Sequence, residues 1–225
     1  MAKADLETIK ALNDAYLGLY KSSIAHYEQS LVLLKGINYG KNNCSFIYRN
    51  LAHLYYLQND LIKASINNEL LMLSAKQKQN NQLLISSLIF KADILLRNGE
   101  IKKAEHLILR NALLINNGLN GKKKEQACYL QLGKIYLQAK RYTEAKWFFI
   151  QSLTLSNQLN LKAQKIESLL MLAKVKNIIK DYSLALADLK MVNNLLQSGY
   201  SIYQDDYKLQ LKQSYSYLGK TLKGS

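Results

Sequence analysis

The 225-residue chain carries 31 Lys and Arg against 16 Asp and Glu, a formal net charge of +15, with 48% hydrophobic residues and no proline. Average usage is about 5% proline, so a chain of this length without any disfavours loop-rich and sandwich folds and favours helices joined by short turns. No run of about 18 uncharged apolar residues is present, which excludes a membrane-spanning helix, and a start containing Lys3, Asp5, Glu7 and Lys10 is not a secretory signal.

Apolar and small residues recurring at spacings of three and four predict helices near 4–18, 21–35, 44–57, 60–78, 82–97, 100–116, 123–139, 142–157, 161–179, 182–198 and 204–220. Within the successive pairs, Asn59-Asp60, Asn98-Gly99-Glu100 and Lys180-Asp181 supply a helix stop and an N-cap, and Ser22 is expected to do so in the first pair. Polar stretches 36–43, 77–82, 116–124 and 157–162 read as turns between pairs, with Lys122 to Lys124 as a solvated turn.

Small residues mark where two helices of a pair approach closely. Ala11 and Ser23, Ala52 and Ala64, Ala92 and Ala104, Gly133 and Ala145, and Ala173 and Ala185 are each twelve residues apart. The second members recur at intervals of 41, 40, 41 and 40 residues. One helix pair cannot cover its own apolar face, so such repeats must stack, each covering its neighbour. The chain is therefore expected to be one all-α domain, residues 1–225, with units about 4–41, 45–80, 85–121, 126–160 and 166–200 and a C-terminal helix about 204–220. Tyr16, Tyr55, Tyr136 and Tyr142 fall at core spacing, and Cys44 and Cys128 read as small buried hydrophobes. Tyr215 to Gly219 looks like the first half of a sixth unit, so the last helix is either a cap or a repeat cut short, and whether the chain is whole stays open.

These residues resemble the tetratricopeptide repeat (TPR). The fourth unit carries the pattern through Tyr129, Leu132, Gly133, Tyr136, Ala145, Phe149 and Ser152, and the second through Tyr48, Leu51, Ala52, Tyr55 and Ala64. The third gives Leu88, Ala92, Leu95 and Ala104, the fifth Leu169, Leu172, Ala173 and Ala185, and the first only Ala11, Ser23 and Tyr27. The period exceeds the family's usual one and its proline is missing, which implies the longer-repeat form. The resemblance implies a right-handed α-α superhelix, a TPR-like solenoid of five helix pairs plus a C-terminal helix, whose concave groove is lined by the first helix of each pair. Carried over position by position, it implies a partner-binding surface of Arg49, His53, Tyr56, Asp93, Arg97, Lys134, Gln138, Lys174 and Asn177. Members that grip a C-terminal carboxylate use Lys, Asn and Arg at positions that here hold Thr8, Leu12, Asn50, Ser86 and Phe90. Only Asn50 fits, so that clamp is not expected.

No catalytic or metal constellation stands out. His26, His53 and His106 are scattered, and Gly121-Lys122-Lys123-Lys124 lacks the second glycine and hydroxyl of a phosphate loop. No enzyme activity, cofactor or metal is expected. The mixed surface of cations, amides and apolar groups suits a protein or peptide of acidic character, making the chain an interaction scaffold. A sensor region of a larger bacterial signalling protein is the first alternative and a basic nucleic-acid-binding solenoid the second. Dispersed lysines without interleaved aromatics argue against nucleic acid. The lack of a signal favours the cytoplasm, an excised soluble domain of a membrane-anchored or exported protein being the alternative.

Overall fold

The computed structural model describes residues 1–36, 44–112, 119–197 and 199–221, among which there are eleven α-helices and no strand. They are α1 (Ala2–Tyr16), α2 (Tyr20–Gly36), α3 (Ser45–Leu57), α4 (Leu61–Gln77), α5 (Asn81–Arg97), α6 (Ile101–Leu107), α7 (Leu119–Gln138), α8 (Tyr142–Gln158), α9 (Lys162–Ile178), α10 (Tyr182–Leu196) and α11 (Gln204–Thr221). The helices pack in consecutive pairs and divide into two compact units, Met1–Leu107 and Ile108–Ser225.

The turns keep the same beat as the small residues. Within pairs, a residue with positive φ stands at Gly18, Asn59, Gly99, Lys140 and Lys180, spaced 41, 40, 41 and 40. Each ends its helix in the same way. At the second, the Asn59 amide donates to the Tyr56 carbonyl (3.1 Å) and the Asp60 amide to the Tyr55 carbonyl (2.9 Å). This double closure satisfies carbonyls that the helix end leaves without partners. Glu100 to Leu95 (2.8 Å), Arg141 to Tyr136 (2.9 Å) and Asp181 to Lys176 (2.7 Å) repeat it. Gln79 and Asn160 do the same between pairs. Side chains cap two of the following helices, Asp60 accepting from the Lys63 amide (3.0 Å) and Asn80 from the Leu83 amide (2.9 Å).

All the paired small residues are buried. Where serine replaces alanine, at Ser23, its hydroxyl donates to the Ala11 carbonyl at 2.6 Å, so the close approach is kept and the polar atom is satisfied. In the first unit the core runs from Ala4, Ala11, Ile24 and Tyr27 through Tyr48, Leu51 and Tyr55 to Ala64, Leu71 and Ile94. In the second it gathers around Ile166, Leu169, Ala173, Ala185, Leu189 and Val192. A buried polar seam joins α7, α8 and α9: Gln126 donates to Ser152 (2.8 Å), whose hydroxyl meets that of Ser168 at 2.8 Å. Cys44 and Cys128 are buried free thiols.

Several expectations need correction. The first turn lies at Leu17 to Leu19, because Gly18 supplies the left-handed residue; Ser22 is an exposed residue inside α2. α6 ends at Leu107 and continues as a π-helical turn, Ile108–Ala112, while the remainder of the expected 100–116 helix lies outside the described residues. α7 begins at Leu119, so Lys122 to Lys124 are helical and not a turn. Tyr16 is 90% exposed because it closes α1 at the turn, where nothing packs over it, and Tyr142 is half-buried; Tyr55 and Tyr136 are core residues.

Candidate functional site

In the first unit the first helices of two successive pairs, α3 and α5, present a surface backed by α4. Arg49 and His53 are exposed on α3, and the Arg49 guanidinium lies 5.6 Å from the Phe46 ring. Phe90 of α5 stands between His53 (ring centroids 6.2 Å) and Tyr56 (5.3 Å). Arg97 closes this row: it lies 4.2 Å over the Tyr56 ring and donates to the Tyr56 carbonyl at 2.6 Å, tying α5 to the end of α3. Asp93 is half-buried on α5. Among the described residues neither arginine is in an ion pair, and each guanidinium lies against an aromatic ring.

Below this row lies a cavity of about 380 Å³, lined by Arg49, Asn50, Ala52 and His53 of α3, Asn68 and Leu71 of α4, and Leu83, Ser86, Ser87 and Phe90 of α5. Arg49 and His53 are exposed and mark its rim, whereas Asn68, Leu71 and Ser87 are buried and mark its depth. Asn68 is 1% exposed; its amide donates to the Ser87 carbonyl (3.0 Å), and its Oδ1 has no hydrogen-bond partner. Asn50 donates to the Phe46 carbonyl of its own helix (2.8 Å), and Ser86 to that of Gln82 (2.9 Å). Nearby, burial pushes the Tyr27 hydroxyl up, and the Arg49 charge partly offsets this.

One core position differs in the second repeat. Four residues after the small residue that opens each second helix stand Tyr27, Asn68, Ile108, Phe149 and Leu189. Four of the five are large and fully buried, each 0% exposed. The second repeat alone places a shorter, polar side chain there. Where Phe149 fills this position, it sits so close to Gly133 that a Cβ on that glycine would meet the ring at 2.4 Å. In the second repeat Asn68 and Ala52 are each 1% exposed, and the Asn68 amide donates to the Ser87 carbonyl. Reading the first helices alone misses Asn68; comparing this position across the repeats would have found it.

In the second unit the expected surface residues are less alike. Lys134 donates to Glu167 at 2.8 Å, joining α7 to α9. Gln138 and Lys174 are exposed. Asn177 is not a surface residue: it is 5% exposed beneath α11, donating to the Gln210 carbonyl (3.1 Å) and side chain (3.2 Å) and accepting from Ser214 (2.8 Å). Its amide is used to hold α11. The second unit also holds an aromatic cluster in which Tyr136 stacks on Phe148 (5.2 Å, 9°) and Arg141 lies 4.4 Å over Tyr136.

Among the described residues no group of three His, Cys, Asp or Glu side chains could hold a metal ion, and no helix is long and apolar enough to cross a membrane.

No family model matches the chain, and no curated protein does. Solved structures do. NprR, described as a quorum sensor from B. thuringiensis, matches with TM-score 0.76 at 17% identity, over 94% of this chain and 58% of that one. A Rap protein complexed with competence and sporulation factor matches with TM-score 0.75 at 12% identity, over 94% and 57%. A signal-transduction ATPase with a tetratricopeptide repeat sensor, from Pyrococcus horikoshii, matches with TM-score 0.67 at 19% identity, over 89% and 31%. The chain thus spans less than two thirds of the length of each of these three. With helices in consecutive pairs, small residues at every pair crossing and these likenesses, the chain has the all-α fold of tetratricopeptide-repeat proteins, with a repeat of 40–41 residues.

Proposed function

We propose that this chain is a non-catalytic interaction module that takes a protein or peptide segment of acidic character onto the α3–α5 face of its first unit. The observation that carries this reading is the row Arg49, His53, Phe90, Tyr56 and Arg97 above a cavity of about 380 Å³. A concave apolar site with a few polar groups is what a peptide side chain requires, and the Arg49 guanidinium at its edge favours a carboxylate. The net charge of +15 adds a long-range attraction for such partners. Lys134, Gln138 and Lys174 are a separate candidate contact surface of the second unit.

The test is selection of random peptides against the purified protein, beside the double variant Arg49→Glu, Arg97→Glu. Arg97 ties α5 to the end of α3, so the variant should keep its helical content but lose about 1 kcal/mol of stability, and binding is compared at a temperature where both proteins are folded. The expected result is enrichment of Asp- and Glu-containing peptides by the parent and its loss in the variant. Equal enrichment by both refutes the reading.

A second reading, a sensing region of a longer signalling protein, draws on the two similar structures described as sensors. It predicts that a selected peptide alters the activity of whatever domain the chain is joined to in its parent protein. An unaltered activity with peptide bound counts against it.

A further inference from the structure

We propose that the outward face of α1 joins two copies of this chain in an antiparallel α1–α1 contact about a two-fold axis at Ile9. The contact is separate from the α3–α5 face and does not depend on it.

A helix side turned to water ordinarily carries polar residues. On α1 that side is apolar: Leu6, Ile9, Leu12 and Tyr16 are 52%, 62%, 43% and 90% exposed. At 3.6 residues per turn they fall within about 120° of one another, opposite the buried Ala4 and Ala11. The exposure comes from the stacking. α3 packs on both α2 and α4, whereas α1 packs on α2. Leu6 holds the place in its repeat that Ile47 and Cys128 hold in theirs, and those are 5% and 1% exposed. Taking roughly 200 Å² for a whole tyrosine and somewhat less for leucine and isoleucine, the four leave about 450 Å² of apolar surface open, a size often functional on a monomer.

The order of residues along this face matches a second copy of itself. An antiparallel pair about a two-fold axis at Ile9 sets each residue against the one equally far beyond Ile9 in the other copy. Ile9 then meets Ile9, and Leu6 meets Leu12. The two polar residues that interrupt the stripe, Asp5 and Asn13, fall opposite each other, so the Asn13 amide can donate to the Asp5 carboxylate. The large Tyr16 falls opposite the small Ala2. A parallel pair would instead set Asp5 against Asp5 and Tyr16 against Tyr16. With Ala2, Asp5 and Asn13 included, the face is about 600 Å² per copy, so a pair covers about 1,200 Å², the lower end for a specific interface. Association in the range of about 10–100 µM is expected from such an area. α1 carries Lys3 and Lys10 against Asp5, Glu7 and Asp14, a balance that does not suit an anionic membrane.

Sedimentation equilibrium of the whole chain tests this. The mass should rise from 25.7 kDa towards twice that value as concentration increases through the expected range. Both copies carry +15, so the association should tighten as salt is raised. Ile9→Glu places two like charges on the axis and should weaken it about 100-fold, with helical content unchanged because Ile9 is exposed. Single cysteines read the register. Ile9→Cys should give a disulfide-linked pair under mild oxidation, because packed helices bring facing Cα atoms on the axis within disulfide reach. Leu6→Cys should link to Leu12→Cys and not to itself, and Lys3→Cys, off the stripe, should link to neither. Cys44 and Cys128 are buried and do not compete. A mass of 25.7 kDa at every concentration, an association that Ile9→Glu leaves unchanged, or Leu6→Cys linking to itself in preference to Leu12→Cys overturns the proposal. A single chain that co-sediments with phosphatidylcholine–phosphatidylglycerol vesicles, and ceases to do so in Ile9→Glu, overturns it in favour of a lipid contact.

Discussion

The Gly133–Phe149 contact gives the sharpest test of the packing logic. An alanine Cβ at position 133 would lie 2.4 Å from two atoms of the Phe149 ring and 2.9 Å from a third, against 3.4–4 Å for ordinary contact. The overlap is therefore about 1 Å. Phe149 is fully buried, so its ring cannot swing aside and α7 and α8 must separate. Overpacking of this kind costs typically ~1–3 kcal/mol, and a fully enclosed ring places it near the top of that range. Replacing glycine by alanine within a helix returns ~1 kcal/mol of propensity. The net expectation for Gly133→Ala is destabilisation by ~2 kcal/mol. Urea unfolding followed by circular dichroism measures it, with unchanged slope and a lower midpoint. The same substitution in a Phe149→Leu background should cost at least ~1 kcal/mol less, because the shorter side chain yields the space. A Gly133→Ala protein as stable as the parent, or more stable, would refute the claim that the two helices meet through this glycine.

Three further expectations follow from other contacts. Asn177→Ala removes the hydrogen bonds that hold Gln210 and Ser214 of α11 beneath the surface, and should cost ~1–3 kcal/mol, read as faster amide hydrogen exchange in α11 than in α9. Ser23→Ala restores the residue used at this position in the other repeats and gives up one hydrogen bond to Ala11; the midpoint should fall by no more than the equivalent of ~1 kcal/mol. Burial pushes the Cys128 thiol up from its ordinary 9.0 to about 12, so the unfolded chain releases this proton first. Stability from this group is then whole below about pH 9 and falls as pH rises towards 12, by at most ~1.4 kcal/mol per pH unit. Unfolding midpoints at pH 8, 9 and 10 should decline less steeply in Cys128→Ala, and the native thiol should resist labelling at pH 8.

Much of the fold was legible in the residues themselves. The interval of 40–41 residues between small positions reappears as the interval between left-handed turn residues, because both follow from the same helix lengths. Ala52 and Ala64, or Ala173 and Ala185, had to be buried, since no larger pair permits so close a crossing. The first turn was misplaced to Ser22 because a polar cap is a weaker stop signal than the left-handed Gly18 beside it.

The face of α3 was likewise legible: Arg49, His53 and Tyr56 fall on one side of a helix whose other side carries Tyr48, Leu51 and Tyr55. Sequence alone determined, then, the repeat, the pairing and which side of each first helix avoids its partner. Only the tertiary structure decided what that free side meets. Asn177 has the same helical phase as an open residue, but α11 covers it. Asn68 has the phase of a core residue, and only its neighbour on α5, the Ser87 carbonyl, shows how a polar side chain is held there. Helical periodicity is set by neighbours three and four residues away, whereas exposure here is set by a helix 19 or 33 residues further along the chain, and no local pattern encodes that distance.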